Sequence, residues 1–393
     1  MPLYFFPFES AFEVQKKGST SLLGNWLKSF KMEIRMDFLN WLDHDTSMKI
    51  LGCLQDPADL VRVSSVSRSW RHFVIANGLC KQLCLRMFPH FLRVDCVIEP
   101  SCGNEKASEV GCSKFVEWET LKREHKAYAF LAQGCLLFPF KECILDAISA
   151  SSTDNYPAES IRNTLLQGDH SEGRPSYWSS KGQRDAEVPE TLVYKLVADI
   201  CVITEINIQP FQAYFQPGSP IYSAISVRFS MGHPKCPMGD PLGEPLDDTA
   251  HDKFIWTYSS PEFPMAQENS LQNFKLPEPV VCIGGILQIE LLGRVQRQEM
   301  DDLFYICVAH VQVKGRPLSP AFGVEMLGPS GKFVLKALSC DPPSLPDDDD
   351  SYHGGHLHGR VDLELIMNAW RGEGDLEYDW DSEDEVDDEL AAF

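Results

Sequence analysis

Few residues of this chain have the type and spacing that chemistry needs. His353, His356 and His358 stand among glycines, an arrangement that can bind a transition metal. No cysteine or acidic ligand is fixed beside them, so a solvated loop is the plainer expectation. Cys80 and Cys84 are separated by three residues, but no second pair follows at zinc-finger spacing. The thirteen cysteines are otherwise scattered; an odd number without a secretory signal reads as reduced thiols, mostly small apolar core residues. The chain has no Gly-x-Ser-x-Gly elbow, no phosphate-loop motif and no His-Glu-x-x-His. Gly328-Pro329-Ser330-Gly331-Lys332 has the wrong glycine spacing to cradle a phosphate. The sequence therefore argues for no catalytic residue, no metal and no cofactor, and the expectation is a non-catalytic protein.

The clearest pattern is one of docking. From Leu60 the apolar residues Val63, Val66, Trp70 and Phe73 follow at steps of three, three, four and three, which is one stripe of a helix. Met48, Ile50, Leu51 and Leu54 form an earlier helical run, and Asp56-Pro57 divides the two. Asp45 or Thr46 would cap the first helix, and Asp56 precedes Pro57 at the start of the second.

With Leu42 before it, this stretch resembles an F-box. The matching positions are Leu42, Ile50-Leu51, Leu54, Asp59-Leu60 and Val66-Ser67-Arg68-Ser69-Trp70. One position departs from the family pattern: Asp43 stands where a proline usually follows the first leucine. The resemblance implies binding to a Skp-class adaptor and, through it, to a cullin. It assigns adaptor contacts to Leu42, Ile50, Leu51, Leu54, Leu60, Val63, Val66 and Trp70. A unit this short buries too little surface to be very stable alone, and a partner would cover its stripe as a helix lies in a groove.

Charge is unevenly placed. The net charge is −22, and residues 347–393 hold 17 acidic and 2 basic residues. The folded part is thus only mildly acidic, which argues against nucleic-acid binding. The dense acidic end is expected to be a disordered tail. No run of about 20 apolar residues suggests a membrane span. Residues 1–35 are aromatic without a signal-peptide start and read as a disordered leader. Location in the nucleus and/or cytoplasm is expected.

Beyond the F-box-like stretch, Leu79, Leu83, Cys84, Met87 and Phe88 continue in helical spacing up to Pro89. Trp118, Leu121, His125 and Tyr128 mark an amphipathic helix that would bridge to the next domain, with His125 packed on its apolar stripe. Short β-type runs then follow at 191–196, 200–210, 221–231, 253–258, 280–292 and 303–313. Val202, Thr204, Ile206 and Ile208 share one side of the second, and the last is apolar on both faces. Pro/Gly turns between the runs suggest a β-sandwich or barrel.

The order Ser160-Ile-Arg-Asn-Thr-Leu, Tyr177-Trp178-Ser179-Ser180, 191–196 and 201–211, closed by 284–293 and 305–308, resembles a discoidin or galactose-binding-like jelly roll. Such domains bind through loops at one end. The resemblance makes Arg174, Tyr177, Trp178 and the loop 232–249 candidate substrate contacts, though a core aromatic is the favoured reading of Trp178.

The resulting expectation is an α+β, multidomain chain: leader 1–35, F-box 36–80, helical linker 81–142, all-β jelly-roll sandwich 143–320 and C-terminal extension 321–393. Such a chain would be the substrate-recognition subunit of an SCF-type (Skp-cullin-F-box) ubiquitin ligase, with an unknown protein target and no membrane partner. The alternative is a carbohydrate- or ligand-binding sandwich whose helices are a structural collar.

Overall fold

The computed structural model describes residues 37, 39, 41–99, 113–166, 170–171, 174–235 and 253–338. The leader, the histidine cluster, the acidic end and most of the loop 232–249 lie outside the described residues. The chain parts into two units between Cys53 and Leu54.

The first unit carries helix α1 (His44–Gly52). Its cap is Asp43, whose carboxylate accepts from the Thr46 backbone N–H at 2.7 Å and from the Thr46 hydroxyl at 3.0 Å. This corrects the choice of Asp45 or Thr46. The residue that departs from the F-box pattern has a local role of its own, because a carboxylate at that position satisfies an orphan helix donor.

The second unit opens with α2 (Pro57–Ser64), α3 (Arg68–Ala76) and α4 (Leu79–Met87). Asp56 caps α2, accepting from Ala58 N–H at 2.9 Å, with Pro57 in the first turn, where its missing donor is no loss. Ser67 caps α3 by accepting from Trp70 N–H at 3.2 Å. The 25-residue helix α5 (Ser113–Leu137) packs on all three. Lys81 pairs with Glu124 at 2.9 Å, His72 stacks on Trp118 at 4.8 Å, and Phe130 reaches Phe322 at 5.1 Å. Leu60, Val74, Leu83, Cys84, Tyr128 and Leu131 are buried between these helices and their surroundings.

Two sheets form the sandwich. One has the order β6 (Phe254–Ser259), β5 (Ala224–Pro234), β8 (Ile286–Arg294), β3 (Glu190–Leu196), β2 (Ile144–Ala150). The other has β7 (Gln272–Ile283), β4 (Ile200–Gln212), β9 (Cys307–Pro317) and the short strand Lys141–Glu142. One core lies between them, built from Leu192, Tyr194, Ile206, Phe229, Ile289 and Val311 with their neighbours. Five of the six expected runs fall on strands of this sandwich with small shifts. The sixth, 280–292, is a hairpin: β7 and β8 meet at Gly284-Gly285, with φ of 94° and 67°, a turn that only glycine enters without strain.

The expected phase of β4 is corrected. Cys201, Ile203, Ile206 and Ile208 face the core, not Val202 and Thr204. The register against β9 runs Glu205 opposite Lys314, then Ile203 opposite Gly315, so Thr204 is an extra residue in a bulge. Gly315 permits this, since a Cβ there would lie 2.2 Å from the Val202 carbonyl oxygen.

A third sheet was not anticipated. β1 (Val94–Ile98), inside the stretch read as a helical linker, pairs in parallel with β11 (Phe333–Ala337), and β11 pairs antiparallel with β10 (Phe322–Met326). Both later strands lie within the expected C-terminal extension. Likewise, β5 continues through Gly232 and His233 to Pro234, so the expected loop 232–249 begins as strand.

The partly buried His125 imidazole is pushed down to about 4, first by burial and then by the nearby Arg71 and Lys126 charges. Its folded pKa lies below the unfolded value, so the neutral form is favoured by folding. Stability is then level above pH 6.5 and falls as pH drops from 6.5 toward 4, by up to about 3 kcal/mol. Denaturant melts across pH 4–7 should show this slope in the full chain, and His125→Gln should flatten it.

Candidate functional site

The eight F-box positions divide by burial. Leu51 and Leu60 are 4% and 2% exposed and belong to the core. Closed off from solvent, both side chains pack inward. Leu42 and Ile50 in the first unit are exposed, as is Val66 in the second. Leu54, Val63 and Trp70 are half-buried. Trp41, 72% exposed, was passed over by sequence reasoning. An isolated large apolar group of that kind is a frequent interface anchor.

The sandwich has two distinct ends. β4 stops, and β7 and β9 start, at one of them. The short strand Ile221–Tyr222 folds back along Phe211-Gln212 and delivers β5 to the same end, opposite the close of β8. The segments 151–160, 176–189, 213–220, 260–271 and 295–303 therefore gather there. At the other end His90 of the helical collar packs edge-on against Tyr258 of β6, with ring centres 6.5 Å apart.

A buried polar network ties the segments 151–160 and 176–189 to the two ends of the segment 295–303. Arg294, fully enclosed, donates from Nε to Val188 O at 3.1 Å and from Nη1 to Ser180 Oγ, Lys181 O and Phe304 O at 2.9, 3.0 and 3.1 Å. Its Nη2 pairs with Glu190. Glu190 also accepts from the Ser151 and Ser152 hydroxyls. Ser180 Oγ in turn accepts from Ile306 N–H at 3.0 Å.

Trp178 lies under this network. It is fully buried in the core, and its indole N–H donates to Ser152 O at 3.0 Å. Neither its ring face nor its indole donor is open to solvent. Tyr177 is half-buried, stacks on Phe211 at 3.8 Å and donates its hydroxyl to Glu159 at 2.8 Å. Burial, and then that carboxylate, push its phenol pKa well up. Arg174 lies in the two-residue strand Arg174–Pro175, paired with His170–Ser171.

The side chains actually presented at this end are others. Tyr214 and Phe215, 63% and 62% exposed, sit on the hairpin before Gln216-Pro217-Gly218. The Asn269 amide donates to the Tyr214 hydroxyl at 2.9 Å and to Gln212 at 3.4 Å. Asp154, next to Glu159 and Asp301, has its carboxyl pushed up by partial burial and by those like charges. The Pro-Gly turn marked the hairpin in the sequence, but nothing there distinguished an exposed aromatic from a core one.

Comparison with known proteins accords with this architecture. The F-box-like family pattern matches residues 44–86. F-box protein At4g00755 of Arabidopsis thaliana is 49% identical over 377 residues, covering 90% of this chain and 100% of that protein. The chain belongs to the F-box protein family. Among solved structures, the sandwich is similar to CBM32-3 from a family 31 glycoside hydrolase of Clostridium perfringens: 14% identity, 43% of this chain, 90% of that chain, TM-score 0.29. The family 32 CBM of C. perfringens NanJ, solved in complex with galactose, gives 12%, 43%, 98% and 0.27. The fold is an N-terminal helical F-box followed by a two-sheet β-sandwich, and at such identity no ligand transfers.

Glu190→Gln should cost about 3–5 kcal/mol, because it leaves the Arg294 guanidinium buried without its counter-charge. Adding Arg294→Met to Glu190→Gln should recover part of that loss, giving a coupling energy measurable by chemical denaturation.

Proposed function

We propose that this chain is the substrate-recognition subunit of an SCF-type ubiquitin ligase, with no catalytic step of its own. Its F-box engages a Skp-class adaptor and, through it, a cullin; its sandwich holds the target. The carrying observation is the F-box pattern at 44–86, within which Ile50 and Val66 are left in solvent. Such a subunit acts by raising the local concentration of a target near the transfer site. The end of the sandwich that exposes Tyr214 and Phe215 is the target-facing surface in this reading, since exposed aromatics on a braced loop end are typical anchors.

A second reading, a glycan-binding sandwich, draws on the same end, where Tyr214 lies among the amides of Asn269 and Gln212. A glycan array probed with the full chain separates the two.

The first test is capture of the full chain by a purified Skp-class adaptor. Ile50→Glu and Val66→Glu should each weaken capture at least about tenfold, as burying an unpaired charge does, while the unfolding midpoint stays unchanged. Leu51→Ala would be ambiguous, because it removes a core residue. Absence of binding by the folded wild-type chain would sink the ligase reading.

A further inference from the structure

We propose that a cavity at the joint of collar, sandwich and third sheet is a binding site for a small carboxylate bearing a hydroxyl or N–H donor on a compact apolar body. It lies at the end of the sandwich opposite Tyr214 and Phe215, so it is separate from the target-facing surface. Its volume is about 200 Å³. That is fragment-sized, below the roughly 300–1,000 Å³ of sites for larger ligands.

Three parts of the chain build it. The turn Pro89–Arg93 after α4 supplies His90 and Arg93. Strands β5, β6 and β7 supply His233, Thr257, Val281 and Ile283. Met326 of the third sheet and Gly331 of the turn before β11 close it. No one of these parts forms the site alone.

The lining sets the chemistry. Arg93 is a cation that makes no ion pair or hydrogen bond among the described residues, and no carboxylate lines the cavity. Gly331, at φ 72°, leaves the guanidinium room: a Cβ there would stand 3.3 Å from Arg93 Nη1. A planar guanidinium of this kind matches a carboxylate in a bidentate pair. His233 is 1% exposed, and its Nδ1 is 3.0 Å from Pro234 O, which places the proton on Nδ1 and leaves Nε2 as an acceptor. That Nε2, like Nδ1 of His90, has no hydrogen-bond partner among the described residues. Two orphan imidazole nitrogens, one on the collar turn and one on β5, are a cost to folding unless something satisfies them. A donor on the ligand does so for a neutral imidazole. Val281, Ile283, Met326 and Pro89 supply the apolar contact.

The position of His233 is itself imposed by the fold. Gly284, in the β7–β8 turn, lies so close that a Cβ on it would fall 2.2 Å from the His233 Cβ. The glycine that makes the hairpin also admits the imidazole.

The experiment is titration of the full chain with 4-hydroxybenzoate, benzoate, 4-hydroxybenzamide and inorganic phosphate, read by calorimetry. 4-Hydroxybenzoate should bind saturably. Benzoate, lacking the donor, should bind about tenfold more weakly, and 4-hydroxybenzamide, lacking the charge, weaker by about tenfold or more. Arg93→Gln, at an exposed position, should remove the preference for acid over amide while leaving the unfolding midpoint and adaptor capture as in the wild type. Met326→Trp, which fills the cavity, should abolish binding of the acid. Failure of 4-hydroxybenzoate to saturate, equal binding by Arg93→Gln, or equal affinity for inorganic phosphate would each overturn the assignment. A chain that fails to capture the adaptor but binds 4-hydroxybenzoate in this pattern would leave this site standing and the ligase reading fallen.

Discussion

The sandwich depends on one buried ion pair. Arg294 ends β8 and Glu190 begins β3, so the pair sits where the two strands leave the sheet. A charge so enclosed is tolerable only when every donor and acceptor is matched. Here the guanidinium spends its donors on Val188, Ser180, Lys181, Phe304 and Glu190. Those partners come from two stretches, 180–190 and the short strand that begins at Phe304. The ion pair therefore ties these two stretches to the close of β8.

The opposite end obeys a different constraint. β1, from the collar, is hydrogen-bonded to β11, which comes after the whole sandwich. Closing so long a loop costs entropy, though the cost grows only slowly with length. The packing of Phe130 against Phe322 and of α5 against α4 offsets part of it. The helical collar is thus built into the sandwich end rather than strung from it. The joint it makes encloses the cavity lined by His90, Arg93 and His233.

The F-box helices show how one stripe serves two purposes. Leu60 and Val63 fall on the same apolar row in sequence, yet Leu60 is closed off and Val63 is partly open. A helical period tells which side is apolar. It does not tell how far round the neighbouring helices reach. Asp43 makes a related point: it breaks a family pattern and still fits, because the helix start needs an acceptor there and a carboxylate is one.

The sequence by itself determined the order of parts: an F-box-type helical unit, an amphipathic helix, and alternating strands parted by Pro/Gly turns. Those signals are local periodicities and turn chemistries, and they survive whatever packs on them. Only the tertiary structure decided the rest. The bulge at Thr204 flipped the phase of β4, because the register against β9 is a long-range property. The third sheet joined residues 94–98 to 333–337, a pairing with no trace in either segment alone. Trp178 went to the core and Tyr214 to the surface, although both are aromatics near turns, because burial depends on what lies across the sandwich. Arg294 and His233 gained their meaning only from neighbours that the fold brought to them.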